Sequence, residues 1–175
     1  MSSLAQTLVF SEDSNTFESF VSFHPEMMCT LGDLFVTFSG GDLYTHDNPV
    51  YNNFYGVDYP SSITFVFNQN EAIGKRFLSI DERGSVVWEC PEIETSLISY
   101  GTTPQQSNLI EADFELVEGK WCANFYQDEN SIGGLIDGDD MRGFYIKIKF
   151  QITSAQQYTT LSQVLVNYIE SPVNK

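Results

Sequence analysis

From Phe20 to Phe67 the chain reads as one short strand after another, joined by tight turns, with almost no residue suited to chemistry. Val36 and Phe38 alternate with Phe35 and Thr37, Ser39-Gly40-Gly41-Asp42 turns the chain, and Leu43-Tyr44-Thr45-His46 returns. Glycine at the turn centre supplies the positive φ that a tight hairpin needs. Ser62–Asn70 puts Ile63, Phe65 and Phe67 on one face. Lys75–Glu89 predicts a hairpin turning near Glu82-Arg83-Gly84. Glu111–Phe125 predicts another, with Ala112, Phe114 and Leu116 facing one way, Asp113 and Glu115 the other, and a turn at Glu118-Gly119. The cleanest strand is Phe144–Ile152, where Phe144, Ile146, Ile148, Phe150 and Ile152 alternate with Tyr145, Lys147, Lys149 and Gln151. That is a period of two with one wet face. Leu161–Ile169 fits a helix at Leu161, Leu165 and Tyr168 and a strand at Val164, Val166 and Tyr168; its valines and isoleucine decide for a strand. Thr95–Ser107, rich in Ser, Thr and Gln, and Asn130–Asp140 are predicted loops. Many short strands with regular turn signals imply an all-β fold, an antiparallel β-sandwich or barrel-like domain with several hairpins and little helix.

A chain of 175 residues holds one well-buried core and is short for two, so a single domain over 1–175 is expected. Aromatics make up 14% of it, with 14 Phe and 9 Tyr, which suits strands better than helices. The charge is −16, from 24 acidic and 8 basic residues, so direct binding to nucleic acid is not expected. The excess acid either keeps the protein soluble by self-repulsion or forms an acidic face for a basic partner. Lys147 and Lys149 form the one obvious basic pair on a strand. Cys29, Cys90 and Cys122 are odd in number, far apart and without a CxxC, which predicts buried, reduced thiols rather than disulfides or a zinc knuckle. No apolar run reaches the length of a membrane span, and the opening MSSLAQTLVFSEDSNTF lacks the basic region of a secretory signal.

Candidate chemistry is sparse. Asp128 and Asn130, with Gly133 at the sixth position and Asp139 at the twelfth, resemble half a calcium loop, but Ile132 stands where a ligand is needed and Asp139 where a bidentate Glu is expected. Asp137, Asp139 and Asp140 are too close together to act as a glycosidase pair. Glu92 and Glu94 share one face of an extended chain, where two like carboxylates could shift a pKa or simply face water. His24 and His46 lie at no metal spacing from a second ligand, and a turn role suits His46, just before Asp47-Asn48-Pro49. No GxSxG, P-loop, GxGxxG or HExxH occurs, so neither catalysis nor a cofactor or metal is expected. Tyr51, Phe54, Tyr55 and Tyr59 crowd beside Asn52 and Asn53. Such a stretch can fold its rings onto the core, anchor a protein contact, or bind a sugar.

Four segments in order carry a family resemblance: Ser19–Asn48, with its Pro-Glu pair, glycine turn and Leu-Tyr-x-His return; Tyr51–Gly56 followed by Ser61–Asn70; Val117–Asn130, with its Glu-Gly-Lys-Trp hairpin; and Met141–Asn174. Together they resemble virion structural proteins of tailed bacteriophages, above all the muzzle or nozzle-like tail proteins of crAss-like phages. Related modules often sit inside far longer chains. The resemblance implies a non-enzymatic structural component of the tail or neck, made in the bacterial host cytoplasm and residing in the virion. Its partners would be other virion proteins (tail, neck or portal-associated) in a ring or collar. The contact residues expected are Tyr51, Phe54, Tyr55 and Tyr59, with Thr95–Ser107 as a polar arm and Lys147 and Lys149 meeting acid on a neighbour. The alternatives are a head-decoration protein and a phage-borne β domain that binds or degrades glycan through Glu92, Glu94 and the Tyr51–Tyr59 stretch.

Overall fold

The computed structural model describes residues 7–21, 23–46, 48–153 and 157–171. Asp47, the first six residues of the opening stretch and the last four of the closing segment lie outside them. The regular structure of the described chain is almost wholly antiparallel strand, as the alternating pattern predicts. Contacts divide it into two compact units, Met1–Pro60 with Thr153–Tyr158, and Ser61–Ile152 with Thr159–Lys175.

The first unit is made of local hairpins. β1 (Thr7–Ser11) pairs with β2 (Thr16–Val21). β3 (Met27–Leu31), β4 (Leu34–Ser39) and β5 (Asp42–Thr45) form a three-stranded meander. Ser39 pairs with Asp42 across the expected turn, and Gly40 and Gly41 hold φ of 64° and 89°, which a side chain would resist. β6 (Asn53–Phe54) and β7 (Val57–Asp58) close a third hairpin.

The second unit is a two-layer sandwich. Its strands are β8 (Ser61–Phe67), β9 (Lys75–Gly84), β10 (Glu89–Tyr100), β11 (Thr103–Leu109), β12 (Glu115–Val117), β13 (Lys120–Asn124), β14 (Arg142–Gly143), β15 (Ile146–Ile152) and β16 (Leu161–Glu170), with one short helix, α1 (Gly134–Asp137). One sheet runs β11-β10-β15-β8; the other runs β12-β13-β9, with β14 and β16 also on β9. Their facing side chains merge into one core that includes Phe77, Ile80 and Ala123 from one sheet and Cys90, Ile93, Leu109, Ile148 and Phe150 from the other. β15 alternates strictly, and its fully buried Ile146, Ile148 and Phe150 each contribute about 1.5–3 kcal/mol. Leu161–Ile169 is a strand, with Val164, Val166 and Tyr168 packed against this core. The Glu118-Gly119 turn also holds: both residues have positive φ, and Val117 pairs with Lys120.

Three expectations fail. Lys75–Glu89 is not a hairpin: β9 runs straight through Glu82-Arg83-Gly84 and the chain crosses to the opposite sheet as β10. The reason lies in burial. Glu82 is packed between Trp121 and Val164 of the flanking strands and accepts a hydrogen bond from the Trp88 N–H at 2.7 Å. The last residue of β9, Gly84, has to be glycine, because a Cβ there would stand 2.4 Å from the Thr160 carbonyl oxygen. Thr95–Ser107 is not a loop but the hairpin β10–β11, turning at Gly101. Its polar residues satisfy one another inside. Buried Gln105 accepts from the Thr95 hydroxyl (3.2 Å) and the Arg142 N–H (2.7 Å), and donates to the Asp140 carbonyl (3.1 Å). A polar strand is therefore stable without an apolar alternation. Finally, the shared face of Ala112, Phe114 and Leu116 is broken by a 3₁₀ turn at Glu111–Asp113, so Phe114 is buried while Leu116 is exposed. Asn130–Asp140 is a loop apart from α1.

Lys75 was not singled out by its sequence. It is 1% exposed, yet its ammonium donates to the carbonyls of Asn70 (2.9 Å), Ile73 (3.1 Å) and Phe144 (2.6 Å) and lies over the Tyr168 ring. Burial lowers its pKa. The three carbonyls tie the β8–β9 connection to the start of β15.

Candidate interaction surface

The Tyr51–Tyr59 stretch is the β6–β7 hairpin, and its turn residues, Tyr55 and Gly56, hold φ of 54° and 77°. This turn sends two rings inward. Phe54 packs on Phe23 at 4.8 Å between centroids and Tyr55 on Tyr44 at 4.5 Å. The Tyr55 hydroxyl meets the buried Thr37 hydroxyl at 2.9 Å, which also bonds the His46 ring at 2.7 Å. His46 stacks on Phe23, and burial lowers its pKa. Phe54 and Tyr55 therefore belong to the small aromatic core of the first unit. Tyr51 is exposed beside Tyr158, and Tyr59 is half-buried against Phe54.

Lys147 and Lys149 lie on the solvent face of β15, as their alternation predicts, but each already has acid beside it. β10 places Glu94 opposite Lys147 and Glu92 opposite Lys149. Lys147 is ion-paired with Glu94, and Lys149 bonds Glu92 at 2.7 Å. The hydrogen bond from Lys147 holds the Glu94 carboxyl below its usual range, and Glu94 raises the Lys147 pKa in return. The two carboxylates do share a face, but as halves of a cross-strand charge ladder.

The acidic loop is likewise spent on structure. One oxygen of fully buried Asp128 accepts from the N–H groups of Gln106 (3.0 Å) and Asn130 (3.1 Å). The Asp128 N–H bonds the Asp139 carbonyl, so the half calcium motif is a loop lock. Asp140 pairs with Arg76 (2.9 Å) and Arg142 (3.0 Å). Among the described residues no group of three or more His, Cys, Asp or Glu is placed to hold a metal ion. No described helix is long and apolar enough to cross a membrane.

What the sequence reading missed is how much apolar surface the first unit leaves open. In the β1–β2 hairpin a bulge opposite Val9-Phe10 brings Phe17, paired with Phe10, onto the face that carries the Leu8–Phe20 pair. Leu8, Phe10, Phe17 and Phe20 are 49%, 47%, 68% and 70% exposed. In the meander, register puts Met27, Phe38 and Leu43 in one row and Leu31 and Leu34 in another on the same face. The opposite face, with Thr37, Tyr44 and Phe35, meets the aromatic core. The available signal was that neither TLVFS nor MMCTL has a polar alternation to present to water.

Residues 49–128 match the family model of the Crassvirus muzzle protein C-terminal domain. No curated protein matches the chain. The matched stretch contains the Tyr51–Gly56 and Ser61–Asn70 segments and nearly all of Val117–Asn130, and it runs from the β6–β7 hairpin through β13. Over those residues the chain is similar to the C-terminal domain of the Crassvirus muzzle protein.

Proposed function

We propose that the chain is a non-enzymatic structural component of the tail or neck of a tailed-phage virion, made in the host cytoplasm and acting through protein–protein contacts in a ring or collar. The observation that carries this reading, beside the muzzle match, is the open apolar surface of the first unit. An isolated two-stranded hairpin is at best marginally stable in water, and one that displays four large apolar side chains on a face is suited to burial against another chain. The glycan reading gains nothing from the geometry, because Glu92 and Glu94 are neutralised by lysines on the neighbouring strand. Gold-labelled antibody against the chain, imaged on purified virions, tests the proposal. Label at the tail or neck is expected. Label over the capsid would make it a head-decoration protein, and absence from virions would end the structural reading.

A further inference from the structure

The first unit combines its apolar surface with an unusual charge distribution. Residues 1–74 contain no lysine or arginine; all eight basic residues of the chain follow. The acids are not spread evenly either. In the meander they stand at strand ends and turns: Glu26 before β3, Asp33 in the β3–β4 turn and Asp42 at the β4–β5 turn. All three are exposed, and Glu26 accepts from the Gly40 N–H, which holds its carboxylate at the same end as Asp42. On one face of the meander Met27 and Leu43 stand at one end and Leu31 and Leu34 at the other, 57%, 53%, 64% and 51% exposed, while Val36 in the row between them is buried. Exposed apolar side chains edged with charge are the anatomy of a specific interface. Here the rim has one sign.

That sign selects the occupant. A second copy of this face would bring acid onto acid, and like charges across an interface cost energy rather than contribute it. The remainder of the chain is no better suited, since residues 61–175 hold sixteen acids against eight bases. We propose that the Met27–Leu31–Leu34–Leu43 face is the docking surface for a different virion protein, one whose contact area is apolar at its centre and rimmed with lysine and arginine. The inference rests on the virion reading above and names the partner's chemistry for it.

Cys29 provides the test, because, against the expectation of buried thiols, it is exposed and lies on this face in the row of Val36 and Thr45, whereas Cys90 is buried. Intact virions are treated with a maleimide–succinimide cross-linker, which joins a thiol to a nearby lysine, and linked peptides are identified by mass spectrometry. The same reagent is applied to the free chain as reference. The expected result is Cys29 linked in virions to a lysine of a different protein, with the link lost in virions carrying Cys29→Ser. A link to a lysine of this chain's own sequence that the free chain does not form would make the occupant a second copy and overturn the proposal. Equal modification of Cys29 in virions and in the free chain, without a link, would show the face to be open and also overturn it. If no peptide of the chain is found in virions, the virion reading itself falls, an outcome distinct from the other two.

Discussion

Glu82→Gln should change how the stability of the sandwich depends on pH. Glu82 is 1% exposed in the middle of β9, and burial raises its pKa from 4.5 to about 7 against the opposing hydrogen bond from the Trp88 N–H. In the unfolded chain the carboxyl releases its proton near the ordinary value, while the folded chain retains it. Folding therefore holds an extra proton between those two values, and stability is lost as pH rises through them. The rise from 4.5 to about 7 corresponds to about 3 kcal/mol lost by about pH 8. Glutamine keeps the oxygen that accepts from Trp88 and removes the charge. The stability of the variant relative to wild type should therefore increase by about 3 kcal/mol from acid to about pH 8. Urea unfolding followed by tryptophan fluorescence reads the right part of the molecule, because Trp88 and Trp121 both lie in the second unit. Parallel pH profiles for the two proteins would refute the argument, since they would mean that Glu82 ionises without cost in the fold.

Gln105→Leu should cost about 1–3 kcal/mol in the same unfolding measurement, the cost of leaving the buried Thr95 hydroxyl without its acceptor, while the half-buried Arg142 N–H and Asp140 carbonyl also lose their partner; unchanged stability would sink the account of the polar hairpin. A double-mutant cycle of Lys147→Met with Glu94→Gln should give a coupling no greater than about 1 kcal/mol, as expected of a solvent-facing pair, and weaker still in high salt; a coupling several times larger would make the ladder a principal tie between β10 and β15.

The parts of the fold legible in the sequence are those where water decides. β15 has one face in the core and one in solvent, so its period of two is undiluted. Turns that need positive φ, at Gly40-Gly41 and Glu118-Gly119, announce themselves by residue type. The parts that were hidden are those where polar groups satisfy one another inside. Thr95, Gln105 and Ser107 are buried, yet by composition they look like a loop. Glu82-Arg83-Gly84 has turn chemistry, but its glutamate is held by the Trp88 N–H and its glycine abuts Thr160, which lies far along the chain. In the candidate contact stretch the aromatic residues were evident while their direction was not. The Tyr55-Gly56 turn aims Phe54 and Tyr55 at Phe23 and Tyr44, far earlier in the chain. The open faces leave little mark in the sequence, because a strand's pattern tells its apolar side from its polar side but not whether the apolar side is covered.

The register of the two sheets also sets an order of events during synthesis. Ser61 pairs with Ile152 and Lys75 with Glu170, so β8 and one flank of β9 wait for segments made long after them. The hairpins of the first unit, with partners a few residues away, can close as they leave the ribosome. A nascent chain that stops short of β15 has already made β8, β9 and β10 but lacks the strand that joins β8 to β10. Until β15 arrives, that intermediate displays open strand edges, and neighbouring nascent chains on one messenger are the nearest strands available to pair with them.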